Sequence, residues 1–199
     1  MFNKRKSRIF INMSYQSRRF TFGSKTTAQI TAITLVTNPE LAAGMSAWNS
    51  DLKKPEYWTG TVWTNEDCVL LVNTSGSTIA TGRLVRIDTT QTSVTGAILT
   101  DTAAQNEDFM IGVVHRGAAN TETMVVAIQG LYPVKYFASE TTSTRGNLIQ
   151  LSSTAGEADQ ITTIGSTDVI GVCAESRSAS QMIASGNLVK CFIQTMSSL

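Results

Sequence analysis

The sequence predicts an all-β protein, a pseudo-duplicated β-barrel or β-sandwich of about eight strands behind an extended N-terminal arm and a small Trp-rich hairpin. Three observations predict it. The 199 residues hold 28 Thr and 20 Ser against 31 charged residues, so hydroxyls rather than ions solvate the surface. Apolar residues fall in short β-branched runs (LVRI, LIQL, MVVAI, LVKCFI) punctuated by Gly, Ser, Thr and Asn. Residues 68–194 also align with themselves.

Residues 1–37 form the arm. The net charge of +1 hides Lys4, Arg5, Lys6, Arg8, Arg18, Arg19 and Lys25, with no acid before Glu40. Basic residues here alternate with Ile9, Phe10, Ile11, Tyr15, Phe20 and Phe22, which suits an extended segment pairing with a sheet edge. A secretory leader needs an apolar stretch soon after the charges, and that stretch is missing. A mitochondrial leader is also Arg- and Ser-rich, and composition leaves it open. Acidic protein grooves and nucleic-acid phosphates both complement the charge, and the interleaved aromatics favour protein.

Residues 38–67 form a connector. Asn38–Pro39 starts a turn, and ELAAGMSAW reads as one short helix or a bent loop. Trp48, Trp58 and Trp63 fall close together, and Gly60 sits where TGTV can turn a hairpin. The connector is expected to seal one end of the following domain. A glycan-stacking platform is the alternative, but the local acids Asp51, Glu56, Glu66 and Asp67 read as solvated turn residues.

Residues 68–199 form the β-domain, with halves at about 68–131 and 132–194. GRLVRIDTT (82–90) aligns with GNLIQLSST (146–154), IGVV (111–114) with IGVC (170–173), and MVVAIQ (124–129) with VKCFIQ (189–194). Each half thus reads as about four strands, too long a unit for a solenoid. Gly82 and Gly146 precede strands, where a positive φ redirects the chain. Gly112 and Gly171 lie inside strands, where a glycine marks a bulge or a close backbone crossing, and the crossing is favoured. QNEDFM (105–110) and SASQMIAS (178–185) read as single helical turns at most.

Little material for catalysis is visible. His115 is the one imidazole, and it reads as a structural residue. No nucleophile elbow and no phosphate-binding loop occur. Cys68, Cys173 and Cys191 lack metal-ligand spacing, and Cys173 and Cys191 read as small buried hydrophobes. One disulfide stays open. No cofactor, metal or catalytic residue is expected, and no apolar run reaches the ~18 residues of a membrane span.

The run NPELAAGMSAWNSDLKKPEYWTGTVWTN resembles start-of-fibre segments of tailed-phage virion proteins, with an Asn-Pro turn, a Trp-Asn pair and a Y-W-x-G-x-x-W hairpin. VLLVNTSGSTIATGRLVRI is similar to a strand pair that recurs in phage tail fibres, head fibres and capsid decoration proteins. IGVVHRGA, VAIQGLYPV and TRGNLIQLSSTAGE look like that module's second half. The resemblance implies a non-enzymatic virion component, made in the bacterial host cytoplasm and carried on the particle surface. It also implies a homo-oligomer (a trimer is favoured) partnered by the major capsid or other virion proteins. The anchor would be the arm, through Lys4, Arg5, Lys6, Arg8, Phe10, Arg18, Arg19, Phe20 and Phe22, with Trp58 and Trp63, of the connector hairpin that also holds Trp48, bracing its junction. No collagen-like, coiled-coil or receptor-tip pattern follows the β-domain, which favours a head-fibre or decoration role. The alternative is a tail-fibre or adhesin module binding host glycans through its Trp cluster and hydroxyl-rich loops. A tailspike hydrolase fragment is a third reading, and it requires two converging carboxylates.

Overall fold

A computed structural model describes residues 21–91, 96–99, 110–162 and 169–194. The expected arm residues Lys4, Arg5, Lys6, Arg8, Phe10, Arg18, Arg19 and Phe20 lie outside these. The rest of the expected arm is folded. Strand β1 (Thr21–Lys25) is followed by a short helix α1 (Thr27–Thr31). Thr26 caps the helix, accepting from Gln29 N at 3.2 Å, while Gln29 Oε1 accepts from Thr26 N at 2.9 Å.

β1 pairs in parallel with β2 (Ser46–Asn49), which runs antiparallel to β3 (Lys54–Trp58). β4 (Trp63–Thr64) closes the small sheet, with Trp58 opposite Trp63 across the hairpin that Gly60 turns at φ +110°. ELAAGMSAW is therefore a bent loop running into a strand. Gly44, at φ +88°, breaks any helix there. Ile30, Leu41, Ala47, Trp58 and Trp63 form the sheet's own core.

Two five-stranded modules follow. In the first, β5 (Cys68–Asn73), β6 (Leu84–Ile87), β7 (Gly96–Leu99), β8 (Met110–Arg116) and β9 (Thr123–Ala127) close a barrel in the order β5-β7-β6-β8-β9. The second holds β10 (Gln129–Lys135), β11 (Leu148–Leu151), β12 (Ala158–Ile161), β13 (Val169–Cys173), a helix α2 (Ala179–Ala184) and β14 (Leu188–Gln194). Its order is β10-β14-β13-β11-β12. That is the first module's ring, opened at one seam. The seam is spanned by a single parallel bridge, Tyr136 to Ala158.

The described residues of the β-domain thus carry ten strands, β5 to β14, where about eight were expected. The two extra ones, GAIL (β7) and ADQI (β12), open on Gly-Ala and Ala-Asp, residue types depleted in strands, and so do not stand out from their loops. SASQMIAS does form a helical turn, α2, with Met182 buried beneath it.

The modules also share irregularities. Val85 pairs with Gly112 and Arg86 with Met110, so Ile111 is left over as a bulge. Ile149 pairs with Gly171 and Gln150 with Val169, which leaves Ile170 in the matching place. A Cβ on Gly112 would collide with the Ala127 carbonyl, and one on Gly171 with the Phe192 carbonyl. Both glycines therefore mark a bulge and a crossing at once.

Packing separates the modules' outer faces. Val85, Val114 and Val126 point into the first barrel, so their neighbours Leu84, Val113 and Ala127 face out. That outward row is wholly buried against Tyr132, Val134 and the rest of the second module's core.

Candidate functional site

Glu56 lies where the small sheet meets the first barrel. Along β3 the burial alternates, with Pro55 and Tyr57 exposed and Glu56 and Trp58 inside. Glu56 is fully buried, which corrects its reading as a solvated turn residue. The signal was present in KPEYW: a period-two strand that buries Trp58 also buries the residue two before it.

The carboxylate is met by two consecutive residues of β8. Glu56 Oε1 lies 2.7 Å from His115 Nε2, and Oε2 accepts from Arg116 Nη2 at 2.6 Å. Neighbours on a regular strand point to opposite faces, so one carboxylate should not reach both. A bulge resolves this. Val114 pairs with Val126 and Arg116 with Val125, which leaves His115 as the extra residue. Arg116 also donates from Nε to the Trp63 carbonyl at 3.0 Å and from Nη1 to the Thr31 hydroxyl. One guanidinium therefore ties β8 to α1, β3 and β4.

The electrostatics assign the protons. Burial pushes the Glu56 carboxyl up, but the His115 hydrogen bond and the Arg116 charge outweigh it and hold the group below its ordinary value. Burial lowers the His115 imidazole, and Glu56 only partly opposes this. Glu56 is thus ionised and His115 neutral, donating from Nε2. Burial lowers the Arg116 guanidinium too, against the pull of Glu56.

A second polar layer lies behind this one. The Tyr132 ring meets His115 edge-on at 5.3 Å, and its hydroxyl donates to Asn65 Oδ1 at 2.8 Å. Lys54 pairs with Asp67 and sits 5.1 Å from the Tyr132 ring centroid. The Cys68 sulfur lies 3.5 Å from the Tyr132 hydroxyl. The cleft beside His115 has about 210 Å³ and is lined mainly by Thr27, Asp51, Leu52, Thr81, Leu131 and Pro133. A second, more open hollow of about 490 Å³ also borders His115 and Arg116, between Thr31, Thr78, Ala119 and Glu122. Both Glu56 oxygens are already engaged, so the chemistry on view is charge neutralisation between packed sheets.

The aromatic residues divide. Phe22 and Trp63 meet edge-on at 5.8 Å, and Trp58 and Trp63 lie 5.7 Å apart at a tilt of 55°. Trp63 Nε1 donates to the Ile33 carbonyl at 2.9 Å. Phe22, expected to dock on another protein, packs within this chain. Trp58 and Trp63 are buried and offer no open stacking face, whereas Trp48 is 46% exposed. Among the described residues no cluster of three or more His, Cys, Asp or Glu is placed to hold a metal ion, and all three cysteines are free thiols. No described helix is long and apolar enough to cross a membrane.

The second module's outer face is the other surface of note. Leu131, Phe192, Val172, Leu148 and Ile161 occupy matched register positions across β10, β14, β13, β11 and β12. Their inward neighbours, such as Tyr132, Cys191, Cys173 and Ile149, fill the core. Phe192 is 55% exposed and the others are half-buried. A hollow of about 510 Å³ beside the row is lined by Val169, Val172, Phe192 and Ile193, with Asp67 and Gln129 at its polar rim.

No family model matches the chain, and no curated protein matches it. Among solved structures the chain is similar to the N base of the head fiber gp8.5 of bacteriophage phi29. The TM-score is 0.42 at 15% sequence identity, over 64% of this chain and 94% of that one.

Proposed function

We propose that this chain is a non-enzymatic structural component of a bacteriophage virion, a head-fibre or capsid decoration protein whose basic N-terminal segment docks on the particle. The observation that supports an assembly role is the unequal fate of two equivalent rows. Leu84, Val113 and Ala127 of the first module are wholly covered by the second, while the equivalent Phe192 is exposed and Leu148 and Val172 are only half-buried. An apolar row across a surface otherwise solvated by hydroxyls fits a face closed by another subunit. The proposed occupant is a second copy of this chain, in a homo-oligomer for which a trimer is the favoured state. Repeated copies then multiply weak contacts with major capsid or other virion proteins. The start-of-fibre and strand-pair motifs supply the kind of assembly, and the +7 charge before Glu40 supplies the anchor.

Co-sedimentation with capsids lacking this component tests the reading, comparing the full chain with a chain lacking residues 1–20 across a salt series. Saturating binding that needs the basic segment and weakens with salt is expected. Equal binding by both chains overturns the anchor, and binding by neither overturns the head role. The glycan-binding alternative retains only Trp48 as an exposed indole, so it predicts that Trp48→Ala abolishes retention on a host-glycan array.

A further inference from the structure

The second module contains two thiols that nothing above employs. Cys173 on β13 lies directly opposite Cys191 on β14. Cys173 N donates to the Asn147 carbonyl at 2.8 Å, and its own carbonyl accepts from Gly146 N at 2.9 Å. Both backbone groups therefore turn towards β11. Against β14, Cys173 and Cys191 form a non-hydrogen-bonded pair, the type that brings Cα atoms to about 4.5 Å. Disulfides span Cα separations of roughly 4.4–6.8 Å, so the strands already stand within bonding range. Both side chains project into the core, at 1% and 0% exposure, where Cys173 Sγ donates to the Glu175 carbonyl at 3.0 Å and Cys191 Sγ to the Val189 carbonyl at 3.6 Å. The first module pairs Val114 with Val126 at the corresponding places, so the thiol pair is peculiar to one copy.

We infer that Cys173 and Cys191 are a redox-closable pair, converted by a small-molecule disulfide into a cross-strand bridge that locks β13 to β14. This goes beyond the assembly reading and does not depend on it. The thiolate of Cys173 attacks one sulfur of glutathione disulfide and expels one glutathione thiolate, leaving a mixed disulfide. The sulfur of Cys191 then attacks that of Cys173 and expels the second. Two cysteine thiols are oxidised and one glutathione disulfide is reduced, with both protons carried away on the two released thiols. The local chemistry favours this order. The neighbouring Cys191 thiol, outweighing the opposite effect of burial, brings the Cys173 thiol down to about 6, while Cys173 and burial together hold Cys191 far above its ordinary value. The bridge would tie residues 174–190, including α2, into a covalent loop, which restricts the unfolded chain.

The test uses the full chain with Cys68→Ser, so that only this pair remains. The protein is unfolded with reductant and then refolded in mixtures of reduced and oxidised glutathione, which removes the question of access to a buried site. Folded protein lighter by two hydrogens, a Cys173–Cys191 linked peptide and a melting temperature raised by roughly 5 °C over the reduced form are expected. Adding Cys191→Ser should leave a single glutathione on Cys173 and abolish the rise. Folded protein with both thiols free even in fully oxidised glutathione overturns the inference. So does a glutathione adduct on Cys173 that persists while Cys191 is present. If the chain does not refold, native protein held with glutathione disulfide is read by the same mass and peptide criteria, and unchanged thiols after equilibration overturn the inference equally.

Discussion

Replacing Glu56 by alanine is expected to destabilise the folded chain by about 3–5 kcal/mol, the cost of breaking a buried ion pair from one side. The structure accounts for the size. The substitution deletes two charge-assisted hydrogen bonds, at 2.7 Å to His115 and 2.6 Å to Arg116. It also leaves a guanidinium that is only 11% exposed without its anion. Each charged hydrogen bond contributes roughly 1.5–3 kcal/mol. Glu56→Gln keeps the shape and one acceptor for Arg116, so it should cost less, about 1–2 kcal/mol. Glu66, exposed on the neighbouring turn, is the control, and Glu66→Ala should stay within about 0.5 kcal/mol. Urea unfolding at pH 7.5, followed by tryptophan fluorescence and circular dichroism, measures all three, since Trp58 and Trp63 report on this junction. Unchanged urea slopes would show that stability alone has moved. A loss below about 1 kcal/mol for Glu56→Ala, well short of a broken buried pair, would refute the account of the junction.

Further outcomes follow from the same geometry. Burial, helped by the Arg116 and Lys54 charges and only partly opposed by Glu56, lowers the His115 imidazole, with the Tyr132 ring and the Cys68 thiol packed behind it, so the unfolded chain binds the proton first. Stability should be full above roughly pH 6.5 and fall below it by at most about 1.4 kcal/mol per pH unit, and His115→Gln should flatten that window. Glu56 is lowered too, so its share should be present above roughly pH 4.3 and lost as the pH falls further. Removing residues 1–20 should leave the melting temperature unchanged in calorimetry, whereas removing residues 1–25 should lower it, because β1 and the Phe22–Trp63 contact go with it. Gly112→Ala and Gly171→Ala should each cost about 3 kcal/mol in urea unfolding, since the new methyl group meets a facing carbonyl. Phe192→Ser should disperse the oligomer in sedimentation velocity without lowering thermal stability, and an unchanged sedimentation coefficient would remove Phe192 from the subunit contact.

The β-branched runs were legible because each alternates or clusters on a pleated, half-buried surface. LVRI, LIQL, MVVAI and LVKCFI all appear as strands. β12 was not, because ADQI gains its place from pairing with β11 rather than from its own side chains. The folding of residues 21–37 was hidden for a related reason. β1 is a strand only through parallel pairing with β2, more than twenty residues later, and no local pattern announces such a partner. At the junction, His115 stands out in the sequence as the one imidazole and the structure buries it, but its partner Glu56 is misplaced by the sequence reading. A Glu in a turn-rich segment looks solvated until strand alternation counts it inward beside Trp58. The convergence of His115 and Arg116 on one carboxylate depends on a bulge, and a bulge leaves no mark in composition.

The Glu56 contacts also impose an order of events during synthesis. His115 and Arg116 follow Glu56 by 59 and 60 positions in the chain. At roughly 5–20 residues per second, several seconds pass between the emergence of the anion and of its cations. During that interval the small sheet would have to bury an uncompensated charge, so it should stay open until β8 arrives. Nascent chains arrested before residue 110 should therefore be cut by protease within residues 46–64, and chains arrested beyond β9 should be protected there. A sheet made well before β8 is then among the last parts to close, its final step set by a strand from later in the chain.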